Sequence, residues 1–124
     1  MTTPAMLGLA PVTGRDMVTA AIAAVSQARL AEPIAGYVVS LVRATRATPD
    51  ISNGASPRSA AMLAVAARAR AALDGRDYVI PDDVKALALP ALRHRVLLSP
   101  AAEIDGRRVD EVLAALVETI PVPR

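Results

Sequence analysis

Apolar residues recur at helical spacing in five stretches of the chain, with turn-forming residues between them. Ile34, Val38, Leu41, Val42 and Thr45 fall at i, i+4, i+7, i+8 and i+11, the signature of an amphipathic helix. Pro33 suits its first turn, and Pro49 with the polar, glycine-containing stretch 50–55 ends it. Val109, Val112, Leu113, Leu116, Val117 and Ile120 repeat in the same way until Pro121-Val122-Pro123 stops them. An earlier helix is expected from Thr13, a candidate N-cap with Asp16 at its third position, to about Ala28. It would turn Met17, Ala21, Ala24 and Ala28 to one side, with Ile22 and Val25 adjoining. Ser56-Pro57 opens another helix, with a hydroxyl at the N-cap and proline at the first position. Its buried stripe is expected at Met62, Val65, Ala66, Ala69, Ala72 and Leu73, and Gly75 ends it. Pro81-Asp82-Asp83 opens the next, with acids at the positive end of the helix dipole. Val84, Leu87, Ala88, Ala91 and Leu92 make its inner face, and Pro90 is expected to kink it.

Two short runs, Tyr78-Val79-Ile80 and Val96-Leu97-Leu98, are β-prone and are expected to pair with one another. Ala101 to Ile104 reads as one helical turn ended by Asp105-Gly106. Residues 1–12 have no periodicity and are read as a loose leader or linker. The expected fold is therefore all-α: a compact bundle of about five helices over residues 13–124, with a short two-stranded β element near 78–80 and 96–98.

Composition sharpens this picture. Twenty-seven of the 124 residues are alanine, and the only aromatics are Tyr37 and Tyr78, so the core must be built from Ala, Val, Leu, Ile and Met. With no cysteine, disulfides, thiol catalysis and Cys-ligated metal sites are excluded. With His94 the only histidine, so is a multi-histidine metal site within one chain. The one lysine, Lys85, follows Val84 and not a glycine, so no phosphate-cradling P-loop is present. The longest apolar run, Ala60 to Ala67, is too short to span a bilayer. No basic residue precedes Arg15, so no secretory signal is read, and the expected compartment is the cytoplasm. Thirteen arginines and that lysine face 12 acids, a net charge of +2, and the bases are dispersed among acids. That pattern does not mark a nucleic-acid or membrane surface.

The stretch Ser52-Asn53-Gly54-Ala55-Ser56-Pro57-Arg58 carries the strongest chemical signal. A helix start has unpaired N–H groups and partial positive charge. Gly54 lets a ligand or another backbone come close, and Arg58 places a planar guanidinium at the second helical position, directed past the end of the bundle. Together these describe an anion contact, with phosphate the natural anion. The plainer reading is a good cap followed by a solvated arginine, and spacing by itself favours it. Arg43 and Arg46 lie on the last turns of the preceding helix; Arg43 suits the dipole there, while Arg46 leads towards the Arg58 loop. Gly75-Arg76-Asp77 reads as a helix stop with a local ion pair, and His94 as a packed or capping histidine. Gly54 to Arg58 lacks the closing glycine of a nucleophile elbow, and no apolar strand precedes Asp110-Glu111 as a Mg²⁺-binding acidic pair would require. No catalytic residue and no metal ligand is assigned within this chain.

In order, Tyr37…Leu41-Val42-Arg43-Ala44-Thr45-Arg46, Gly54-Ala55-Ser56-Pro57-Arg58, Gly75-Arg76-Asp77-Tyr78-Val79-Ile80-Pro81-Asp82-Asp83-Val84, His94-Arg95 and Pro121-Val122-Pro123 form a series. It resembles the C-terminal lid domain of MoxR-type AAA+ ATPases over about residues 13–124. The resemblance implies a helical lid packed over nucleotide held by an α/β ATPase core. It implies that Arg58 is the sensor-2 residue contacting the γ-phosphate of ATP, supported by Gly54, Ala55, Ser56 and Pro57, with Arg46 a secondary candidate. The family's P-loop, Mg²⁺-binding acids, sensor 1 and arginine finger belong to the core. ATP and Mg²⁺ are therefore expected only in the parent protein, with none tightly bound here, and the isolated chain is not expected to hydrolyse ATP. Implied partners are that core, neighbouring subunits of a ring and von Willebrand A-domain proteins, in a chaperone-type role of assembling or activating other proteins. The family usually has a hydroxyl residue where this chain has Ile80, a missing cap worth roughly 1 kcal/mol. Two other readings stand beside this one: a small histone-like DNA-binding module around residues 57–93, and a helical adaptor that binds only protein.

Overall fold

Six helices and two short strands follow one another in the computed structural model, which describes residues 2–123. The helices are α1 (Arg15–Gln27), α2 (Glu32–Ala44), α3 (Pro57–Leu73), α4 (Pro81–Leu92), α5 (Pro100–Ile104) and α6 (Val109–Thr119). Strand β1 (Ile51–Asn53) precedes α3, and β2 (Leu97–Leu98) follows α4. The short α5 is the helical turn expected after residue 100. Met1 of the expected leader and Arg124 at the end of the expected bundle lie outside the described residues. Within the leader, Pro4–Leu7 form a single exposed 3₁₀ turn.

One apolar cluster is built where α2, α3 and α4 meet: Ile34, Tyr37, Val38 and Leu41 against Leu63, Ala67 and Ala71, and against Val79, Val84 and Ala88, with Val117 of α6 closing it. The alanines at the α3–α4 contact let the two axes approach closely, so a core nearly without aromatics still leaves no exposed surface at Leu63, Ala67, Ala71, Val84 or Ala88. Burying a leucine such as Leu41 or Leu63 contributes roughly 2 kcal/mol relative to leaving it in water. A second cluster, Val42, Ile51, Ala55, Leu92, Val96, Val112 and Leu113, ties the end of α2 to the strands and to α6.

Three features of the packing differ from the periodicity reading. On α3 the buried residues are Ser59, Leu63, Ala67 and Ala71, at a spacing of four, while Met62, Val65 and Leu73 are exposed. Alanine occurs on nearly every face of α3, so the pattern has little contrast, and the buried face is the one whose small residues fit against α4. On α1 no residue is buried, and Met17 and Ile22 are about two-thirds exposed. The helix lies along α3 with an open cleft of ≈ 470 Å³ lined by Val18, Ile22 and Val25 on one side and Val65 and Ala69 on the other. Its N-cap position is Gly14, with no side-chain cap, so Thr13 does not cap it.

The third difference is the strand partner. β2 pairs antiparallel with β1, Ile51 opposite Leu98 and Asn53 opposite Leu97, and not with residues 78–80. The polar flanks of Ile51 hide a strand whose one apolar side chain is buried, and Ser52 Oγ adds a bond to the Leu98 carbonyl at 2.9 Å. Residues 77–79 instead pair with Arg29 in the connection between α1 and α2. The Arg29 N–H donates to the Asp77 carbonyl at 2.7 Å, and the Val79 N–H donates to the Arg29 carbonyl at 3.0 Å.

The turn between α3 and α4 is held by charge. Asp83, 1% exposed, accepts from Arg76 through both carboxylate oxygens at 2.7 and 2.8 Å, and from the Ile80 N–H at 2.9 Å. The last bond serves the helix start that Ile80 itself cannot cap. Arg70 approaches the same carboxylate at 3.5 Å, and Asp74 pairs with Arg76 at 3.1 Å. The Arg76 hydrogen bonds hold the Asp83 carboxyl below the usual aspartate range, against the opposing effect of burial. α4 runs through Pro90, and the Arg93 N–H still reaches the Leu89 carbonyl at 2.9 Å.

Candidate phosphate-contact site

The loop that leads into α3 is fixed residue by residue. Gly54 lies so close to the end of α2 that a Cβ there would sit 2.7 Å from the Thr45 carbonyl oxygen and 2.9 Å from Arg46 Cα. The glycine is therefore needed for the approach of another backbone. Ala55 follows, wholly buried, with both of its backbone groups bound: its N–H donates to Thr45 Oγ1 at 2.9 Å, and its carbonyl accepts from Arg46 Nε at 2.8 Å. Ser56 is the N-cap, its Oγ accepting from the Ser59 N–H at 3.3 Å and lying 3.2 Å from Ser59 Oγ. Pro57 fixes the first helical φ and has no N–H to satisfy.

Arg58 is the second residue of α3 and the first charged side chain on it. It is exposed, and among the described residues no hydrogen bond or ion pair engages it. With no N–H on Pro57 and that of Ser59 taken by the cap, an uncommitted guanidinium stands beside the open end of a 17-residue helix. Beside it, Val39, Val42, Arg43, Arg46, Pro57 and Ala60 line a shallow cleft of ≈ 230 Å³ between α2 and α3.

The structure thus brings Gly54, Ala55, Ser56, Pro57, Arg58 and Arg46 into one place. Met62, one turn along from Arg58 and expected in the buried stripe, is itself 46% exposed, so Arg58 does not stand above the buried face of α3. His94 is exposed, neither packed nor capping. Among the described residues five other bases pair with acids, Arg70 and Arg76 with Asp83, Arg93 with Asp110, Arg107 with Asp50 and Lys85 with Glu118, and Arg46 binds the Ala55 carbonyl. Sequence reasoning missed Thr45 as part of this site. Its place at the end of an apolar stripe made it look like one more core position, and no local spacing rule pairs residue 45 with residue 55.

A helical bundle whose third helix begins Ser-Pro-Arg, with the preceding loop clamped to the end of α2, matches a known family model. Residues 43–116 fit the AAA lid domain. The chain belongs to the AAA lid domain family. The lid is 38% identical over 99 residues to YeaC of Bacillus subtilis, covering 80% of the lid and 31% of that protein. It is 42% identical over 74 residues to the MoxR protein of Methylorubrum extorquens, covering 59% and 22%. Against the chaperone MoxR1 of Mycobacterium tuberculosis it is 36% identical over 97 residues, covering 71% and 26%. Its backbone superposes on the crystal structure of a candidate ATPase from Cytophaga hutchinsonii with a TM-score of 0.76 and 29% identity, covering 82% of the lid and 34% of that chain. The lid therefore spans no more than about a third of the length of these relatives. No described helix is long and apolar enough to cross a membrane.

Proposed function

We propose that this lid closes over ATP held by the core domain of a MoxR-type AAA+ ATPase, and that Arg58 contacts the γ-phosphate. The observation that carries this reading is the placement of Arg58: exposed, without a hydrogen bond or ion pair among the described residues, and seated on a helix start built by a cap, a proline and a clamped loop. A guanidinium matches the geometry of phosphate oxygens, and an arginine that touches only the γ-phosphate distinguishes ATP from ADP. That difference in contact would bias the angle between lid and core, since a ligand shifts an equilibrium by its differential affinity for the two states. One guanidinium beside a helix end suits a contact with phosphate but does not make a nucleotide pocket. On this reading the core holds ATP and Mg²⁺, and the chain alone has no turnover.

The same reading places the lid against neighbouring subunits of a cytoplasmic ring, in chaperone-type work on other proteins. Von Willebrand A-domain proteins are the partner class to test. The DNA-binding alternative is disfavoured by the near balance of 14 bases and 12 acids, by the dispersal of the bases along the chain, and by the pairing of Arg70, Arg76, Arg93, Arg107 and Lys85 with acids.

The test is turnover of the lid assembled with its ATPase core. Arg58→Ala is expected to lower kcat by roughly 10²-fold, the usual scale for losing one donor to developing charge, while ATP still binds. Wild-type turnover in that variant would remove Arg58 from the mechanism.

A further inference from the structure

Thr45 and Arg46 lie outside α3, yet both bond to Ala55, the residue just before its N-cap. We infer that these two residues are positioning residues for Arg58, acting through the backbone of Ala55. The inference rests on the reading of Arg58 as the phosphate contact and adds the device that aims it.

A threonine hydroxyl has one proton and two lone pairs. The proton of Thr45 goes to the Val42 carbonyl at 2.7 Å, and an oxygen lone pair takes the Ala55 N–H at 2.9 Å, so both bonds form at once. The neighbouring Arg46 Nε binds the Ala55 carbonyl at 2.8 Å. Consecutive residues at the end of α2 thus hold both backbone groups of one residue in the loop, as a rung of a β-ladder would. Thr45 is 1% exposed and Ala55 fully buried, so water does not compete for the Thr45 bond. Gly54 abuts the same turn too closely for any side chain.

From Ala55 onward the chain has little freedom left. Ser56 is held by the cap, Pro57 by its ring, and the next residue is Arg58. The direction in which Arg58 leaves the bundle is therefore set relative to α2 by this clamp. A contact to transferring charge needs its donor placed within about 0.5 Å, and an error of about 1 Å can cost 10²-fold in rate. Arg46, expected from the sequence as a secondary nucleotide contact, gives its Nε to the loop and so also has a positioning role, its terminal Nη donors making no hydrogen bond among the described residues.

Two measurements test this. On the chain itself, Thr45→Val is expected to lower amide-exchange protection at Ala55 at least 10-fold and to change the residual dipolar coupling of the Arg58 amide relative to those of α2. Thr45→Ser, which keeps both hydroxyl bonds, is expected to restore both. On the chain assembled with its ATPase core, Thr45→Val and Arg46→Ala are each expected to lower kcat about 10-fold with KM for ATP within about twofold, and Thr45→Ser to stay within twofold of the parent. Adding either substitution to Arg58→Ala should lower kcat no further. An additive loss in that background, or wild-type kcat in folded Thr45→Val or Arg46→Ala, overturns the inference. Wild-type kcat in Arg58→Ala alone overturns instead the phosphate reading, and the exchange data then still judge the clamp. Arg46 is exposed, so Arg46→Ala keeps the test open should Thr45→Val fail to fold.

Discussion

At the scale of single residues, two glycines show how environment decides the sign of one substitution. Gly36 sits within α2, and a Cβ there would meet nothing within 4 Å. Gly36→Ala should stabilise the chain by roughly 0.5–1 kcal/mol, because alanine loses less conformational entropy in a helix. Gly54 has no left-handed backbone to defend, but its neighbours are the backbone of Thr45 and Arg46, which cannot step aside cheaply. Gly54→Ala should destabilise by roughly 1–3 kcal/mol, as overpacking does. Urea midpoints for the two variants check both signs, and equal shifts would show that the loop is not pressed against α2. The contrast also marks the limit of what adjacent residues can reveal. Ser56, Pro57 and Arg58 were legible because capping follows local rules that need only neighbours in sequence. The tie from Thr45 and Arg46 to Ala55 spans about ten residues of loop, and nothing in the order of those residues announces it.

At the scale of elements, boundaries were easier to read than faces. Helices α2, α4 and α6 carry most of their bulky apolar residues on one side, Val39 of α2 being exposed, and their expected stripes are buried or partly buried as the spacing predicts. α3 carries alanine all round, and its face was misplaced by about one residue. Leu63→Ala should therefore cost roughly 2–5 kcal/mol, the range for a fully buried leucine, and Met62→Ala well under 1 kcal/mol. Similar losses at both sites would return the buried face to the Met62 side. The junction of α3 and α4 makes a prediction in pH. Arg76 holds the folded Asp83 below the ordinary aspartate value, so Asp83 contributes stability at pH above roughly 4, and this is lost as the pH falls through the folded value. Asp83→Asn should be less stable than the parent by roughly 2–4 kcal/mol at neutral pH, since it breaks a buried charged hydrogen-bond set. The two proteins should converge as the pH falls through the folded Asp83 value. Urea midpoints from pH 7 down would show this as a shallower acid limb in the variant, and parallel limbs would deny Asp83 that role.

At the scale of the whole molecule, α1 is held to the rest by less than any other long helix. It buries none of its 13 residues, lacks a side-chain cap, and meets α3 across an open cleft. A helix of that length is marginal in water by itself, so its stability must come from packing, and here the packing is thin. Helices α2, α3 and α4 share one core, and the clamp on Ala55 belongs to the second core around Val42 and Leu113. α1 touches α3 near Val65, Arg68 and Ala69, well along the helix from Arg58. Opening of α1 should thus be a separate event that leaves the Arg58 end intact. Native-state hydrogen exchange should find the amides of Ala21 and Ile22 at least 10²-fold less protected than those of Leu41, Leu63 and Val84. Removing residues 1–27 should leave protection at Ala55 within a few-fold of its value in the whole chain. If Ile22 instead exchanges with the same opening free energy as Leu63, α1 belongs to the cooperative core. If the truncation exposes Ala55, the phosphate-contact end depends on a helix that its hydrogen bonds do not reach.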